Sequence, residues 1–202
     1  MSKRVYISAD YEENSGDRDV VEELHRWGED DLHKVDYVDT ASSPAGSVSE
    51  NPDCRACDLK REFNDRINAS SAVIFVVGDK TAIRAAGSGC RWTIDGPGCS
   101  CTPYKHNSGG TKACKVSNVV EPGPHDDYGE VNSLSYLQHE FEQAKKKGKT
   151  IIIVYNSLYK QVKWLPAYMC DYESDARPFW KKDECGRKVG DYTCIKQALG
   201  YE

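Results

Sequence analysis

The sequence has no apolar run approaching the roughly 18 residues that a membrane-spanning helix needs, so membrane insertion is not expected. It also has no excess of positive charge. Lys and Arg number 27 against 32 Asp and Glu, a formal net charge of −5, which argues against a general grip on nucleic acid or anionic lipid but permits a local basic pocket. The start, Met1-Ser-Lys-Arg4, leads into a strand-like run rather than an apolar signal segment, so export is not expected and a cytoplasmic location is. The common nucleotide signatures are missing. There is no G-x-x-x-x-G-K-S/T, and Gly87-Ser-Gly89 is followed by Cys90, Arg91 and Trp92 rather than by a third glycine opening a helix. No G-x-S-x-G elbow occurs, and Asp10, after the first apolar run, has no adjacent carboxylate of the kind a receiver domain uses.

What is present is enough for one full-sized domain. At 202 residues, with 39% hydrophobic and 29% charged residues, the chain can bury a core without staples and reads as a single domain over 1–202. The mean hydropathy of −0.68 is low for a globular protein. Nine cysteines are many for a chain with no export signal; in a reducing compartment they are expected as thiols, ligands or reactive groups rather than disulfides, and an odd number forbids complete pairing.

Hydrophobic periodicity alternates between strand and helix. Lys3 to Ala9 reads as a strand, Val20, Val21, Leu24 and Trp27 recur at helical spacing, and Val35, Tyr37 and Val38 mark a second strand. A long polar loop opens at Ala41, and Leu59, Phe63 and Ile67 form the stripe of an amphipathic helix. Ala72 to Val77 and Thr150 to Tyr155 are apolar without alternation, as strands covered on both faces are. The order βαβαβ…αβ implies a three-layer α/β fold with a mostly parallel sheet, whose ligand crevice lies beyond the carboxyl ends of the strands. An insertion rich in Gly, Pro, Ser and Cys occupies about 84–132, where such connections usually take a few residues. The tail beyond Leu165 is hard to parse apart from a short helix around Asp191 to Leu199.

The segment Ser135 to Ala144 carries the most chemistry. Ser135 and Gln138 fit a capping box, and Leu134, Leu137, Phe141 and Ala144 share one stripe at about 100° per residue. On this helix His139 is expected to point away from the stripe and Glu142 towards water. Glu140 lies at the edge of the buried face, where a carboxylate is partly desolvated and still reaches a cleft. The plain alternative is a flanking acid paired with a nearby lysine.

Three segments carry a family resemblance: Lys3 to Ser8; Asn68 to Gly78 leading to Thr81; and Tyr136 to Glu140 followed by Ala144 to Val154. In order and spacing they resemble a TIR-like domain, most closely the bacterial subgroup that includes the TIR component of Thoeris anti-phage defence. The resemblance spans the framework of about 3–155 without the insertion, and implies a flavodoxin-like fold. Its enzymatic members cleave NAD+ at the nicotinamide-ribose bond with a Glu on the helix before the fourth strand, which by position is Glu140. It further implies NAD+ as substrate, no other cofactor, and an ADP-ribose-derived signal, linear or cyclic, read by a separate effector protein. Ser8, Asp10 and Asp39, at strand ends, and Tyr136, beside the Glu, would then line the substrate crevice. Homo-oligomerisation is compatible with this reading. The family often has Trp where this chain has Tyr136, and the insertion replaces a short approach to the Glu helix. Two alternatives stay open: a non-catalytic TIR-like interaction module, and a flavodoxin-like nucleoside-transferring enzyme.

No metal is expected. Cys90, Cys99, Cys101 and Cys114, with His106 and His125 nearby, are candidate zinc ligands, but Cys99-x-Cys101 and the other intervals fit zinc spacing poorly, so free thiols are favoured. The pair Cys54-x-x-Cys57 precedes a helix rather than following a first strand, and reads as plain thiols.

Overall fold

The alternating faces of three apolar strands build the centre of the molecule. In a computed structural model, which describes residues 3–10, 16–29, 35–39, 62–83 and 135–201, β1 (Lys3–Ser8), β2 (Val35–Val38), β3 (Ala72–Val77), β4 (Thr150–Tyr155) and β5 (Arg177–Pro178) form one sheet. Every pairing in it is parallel, and the order is β2-β1-β3-β4-β5. This is the flavodoxin-like order of a doubly wound sheet, with its switch point between β1 and β3.

Period-two alternation splits the strands between two cores. Val5, Ile7, Ile74, Val76 and Val154 face α1 (Asp17–Gly28) and the C-terminal helix. Tyr6, Val73, Phe75, Val77 and Tyr155 face the helix over residues 62–69, here α2, and α3 (Tyr136–Lys146). All six residues of β3 are buried, which is why its sequence shows no alternation. The expected three-layer α/β architecture is therefore present.

Helix ends follow local chemistry. Ser135 caps α3, its Oγ accepting from the Gln138 N–H at 3.0 Å. Gly148, with φ +59°, closes the other end, where the Lys149 N–H reaches the Ala144 carbonyl at 3.0 Å. The unparsed tail contains a 3-10 segment at Ala167–Tyr172, the antiparallel hairpin of β6 (Trp180–Lys182) and β7 (Lys188–Gly190), and α4 (Tyr192–Ala198). The expected insertion at 84–132, with Cys90, Cys99, Cys101 and Cys114, and the pair Cys54 and Cys57 lie outside the described residues. So does Leu134.

Gly190 docks the hairpin onto α1. A Cβ there would meet Trp27 Cζ2 at 2.5 Å and Cη2 at 2.8 Å. The indole has little room to give, because it stacks on Phe179 at 5.3 Å, meets the Tyr192 ring edge-on at 5.2 Å and donates from Nε1 to Glu23 at 2.9 Å. Gly190→Ala is accordingly expected to cost about 1–3 kcal/mol of stability, as overpacking does. Denaturant unfolding reads this as a lower midpoint at unchanged slope.

Candidate active site

Glu140 lies one turn beyond Tyr136 on α3, on the side of the helix that meets β1. Period two on β1 turns Tyr6 and Ser8 to that same side. The Tyr6 hydroxyl donates to Glu140 Oε1 and the Ser8 hydroxyl to Oε2, so both carboxylate oxygens are held by neighbouring positions of one strand. Glu140 is 4% exposed and Ser8 1%, with Ser8 the last residue of β1 at the switch point. Burial pushes the Glu140 carboxyl up to about 7, while the hydrogen bonds from Ser8 and Tyr6 pull it down. The group therefore stands near its midpoint at neutral pH. Tyr168, from the 3-10 segment, senses the charges of Glu140 and Glu142, and burial pushes its own hydroxyl up to about 12.

A second polar pairing fixes how α3 sits. His139 Nε2 meets Asn64 Oδ1 at 2.9 Å, and four residues on in both helices the Gln143 amide donates to Asn68 Oδ1 at 3.0 Å. His139, expected to point away from the stripe, is nonetheless buried, against Asn64 of α2. A helical wheel sees one stripe, whereas α3 is covered on two sides.

The structure brings Ser8 to Glu140, and each of the other expected crevice residues meets neighbours of its own. Tyr136 is half-buried, its ring edge-on to Phe63 at 5.7 Å. Asp39 is buried, but its Oδ2 meets His25 Nε2 of α1 at 2.8 Å, and its carbonyl accepts from Arg66 of α2. Strand alternation sends this carboxylate to the α1 layer, away from Glu140. The contact with Asp39 raises His25 above its ordinary value. Asp10 belongs with Asp17 at the start of α1: its backbone N–H bonds the Asp17 carboxylate and its charge faces it. Asp17 is itself buried, with the Asn156 amide donating to Oδ1 at 3.1 Å, and desolvation pushes it up to about 7. The Trp180 indole N–H in turn reaches Asn156 Oδ1 at 2.9 Å, so this cluster ties α1 to the ends of β3 and β4.

Sequence reasoning did not select Tyr6 as a site residue. The available signal was the i, i+2 spacing of two hydroxyls on one strand, which becomes meaningful once an acid is known to face that strand. Cys170, Cys185 and Cys194 are free thiols, the first two exposed. Among the described residues, no group of three or more His, Cys, Asp or Glu side chains is placed to hold a metal ion. Among them, too, no helix is long and apolar enough to cross a membrane. Comparison with protein-family models, curated proteins and solved structures finds no match to the chain.

Proposed function

We propose that the protein is a TIR-like enzyme that cleaves the nicotinamide-ribose bond of NAD+, with Glu140 as the catalytic carboxylate. The observation that carries this reading is a buried carboxylate, gripped by Tyr6 and Ser8, beside the carboxyl end of β1 at the switch point of a doubly wound sheet. The chemistry needs only one acid. Nicotinamide departs as a neutral molecule from a cationic pyridinium, so no proton has to be delivered to the leaving group. The strain falls on the ribose, which becomes oxocarbenium-like, and an ionised carboxylate in a low-dielectric setting stabilises that charge. The bond between ribose C1′ and the nicotinamide nitrogen breaks with its electron pair going to nicotinamide. C1′ is then captured by water, giving ADP-ribose, or by a nucleophile of the same molecule, giving a cyclic product. Exclusion of water favours the second.

The product would act as a small-molecule signal to a separate effector protein in bacterial anti-phage defence, with the enzyme in the cytoplasm, a compartment that suits exposed Cys170 and Cys185. Because the ionised form is the active one, kcat/KM for nicotinamide release is expected to rise with pH through a midpoint near 7, the value to which burial pushes Glu140. A rate profile flat from pH 6 to 8 would contradict this assignment. The interaction-module reading makes a different forecast: Glu140→Gln keeps full biological activity, while removal of residues 88–130 abolishes association with partners.

A further inference from the structure

We propose that Tyr6 is the positioning residue of this site, its hydroxyl fixing one oxygen of Glu140 and favouring the ionised carboxylate that the reaction uses. The inference rests on the NAD+ reading for its catalytic meaning, and on geometry for the rest. The two donors to Glu140 are not equivalent. Ser8 ends β1, and the pairing of β1 with β2 stops two residues before it, at Tyr6 and Val38. Tyr6 lies inside the strand, flanked by Val38 on one side and Val73 on the other, and is wholly buried in the core shared with Phe63, Phe75 and Phe141. Ser8 stands at the strand end, where ligands of such sheets bind, whereas Tyr6 is set back within the sheet. Its hydrogen bond to Glu140 is the contact through which the phenol bears on the reaction.

The ionisable surroundings sharpen the sign. Tyr168 faces Glu140 from the 3-10 segment, Ser8 and Tyr6 from β1, and on α3 itself His139 is turned to Asn64 of α2 while Glu142 lies further along the helix. Among the described residues packed here, no cation is recorded at the carboxylate, so hydroxyl donors are what oppose desolvation. A donor that is lost must therefore move the carboxyl towards its neutral form.

The test is a titration of the Glu140 carboxyl by carbon NMR in glutamate-labelled full-length protein without NAD+, the signal being assigned by its absence in Glu140→Gln. Tyr6→Phe keeps the ring and removes the donor. It is expected to raise the Glu140 midpoint by about one pH unit, the equivalent of one hydrogen bond to a charged acceptor. The acid limb of kcat/KM for nicotinamide release moves by the same amount. Site-specific 3-fluorotyrosine at position 6, a stronger donor of the same shape, is expected to lower the midpoint, which keeps the test decisive if Tyr6→Phe fails to fold. An unmoved or lowered midpoint in folded Tyr6→Phe overturns the proposal, as does a raised midpoint in the fluorotyrosine protein. If the wild type releases no nicotinamide, the enzyme reading fails, and the titration still decides whether Tyr6 governs Glu140. If NAD+ is cleaved while the midpoint stays put, the reading stands and the role of Tyr6 falls.

Discussion

Glu140→Gln is expected to slow nicotinamide release by a factor on the order of 1,000 or more while the protein remains folded. The substitution conserves shape and leaves an amide oxygen to accept one of the two hydroxyl bonds from Tyr6 and Ser8, the other hydroxyl being free to rotate and accept from the amide N–H. The negative charge is lost, and in the proposed reaction that charge is what would meet the oxocarbenium-like ribose. Glu140→Ala is the poorer probe, because it opens a cavity and removes the acceptor that both hydroxyls bond. Thermal melting beside the rate measurement separates the outcomes. A Gln variant that melts like the wild type and has lost its activity supports the assignment; one with undiminished activity removes Glu140 from the chemistry.

The second large expected effect is on stability. Asp17 and Glu140 have folded-state values near 7, well above their ordinary 3.8 and 4.5. A carboxyl raised in this way favours the folded state fully below its unfolded value, and that contribution is lost as pH rises through the folded one. His25 adds in the same direction, its contribution present below its ordinary 6.5 and lost above the raised value that Asp39 gives it. These groups are therefore expected to lower the stability of the protein steadily from pH 5 to pH 8, by on the order of 2–4 kcal/mol for each buried carboxyl. Asp183, held below its ordinary value by Arg187, works the opposite way only at more acid pH. Urea unfolding at pH 5 and pH 8 measures this directly. Asp17→Asn, which removes one desolvated charge and keeps an acceptor for the Asn156 amide, is expected to flatten the dependence by about half. A melting temperature that rises from pH 5 to pH 8 would contradict the account.

Much of the framework is legible in the sequence because it is written in period and burial. Ala72 to Val77 and Thr150 to Tyr155 show unbroken apolar runs because helices cover both sheet faces, and Ser135 announces the start of α3 by its capping chemistry. The stripe of Leu137, Phe141 and Ala144 correctly turns α3 to the sheet and places Glu140 near it. Pattern reading then stops short. Glu140, expected at an edge, is buried, because hydroxyls 132 and 134 residues away in sequence make its burial tolerable. His139 is drawn inward by Asn64, another contact across 75 residues. Asp39 ends a strand as expected, but the alternation that also governs Val35 and Tyr37 delivers its carboxylate to His25. The tail is illegible for a related reason: β5, β6 and β7 are two or three residues each, too short for periodicity, and exist through pairing with distant or facing segments.

The central claim is that this chain breaks the bond between ribose C1′ and nicotinamide. The direct measurement is mass spectrometry of the small molecules after purified full-length protein is incubated with NAD+ in water enriched in oxygen-18. Nicotinamide and an ADP-ribose-derived product are expected in equal amounts. The latter carries one heavy oxygen if water captures the ribose and none if the molecule closes on itself, and both products form about 1,000-fold or more slowly with Glu140→Gln. Recovery of intact NAD+, or its conversion to AMP and nicotinamide mononucleotide by cleavage at the pyrophosphate, would contradict it.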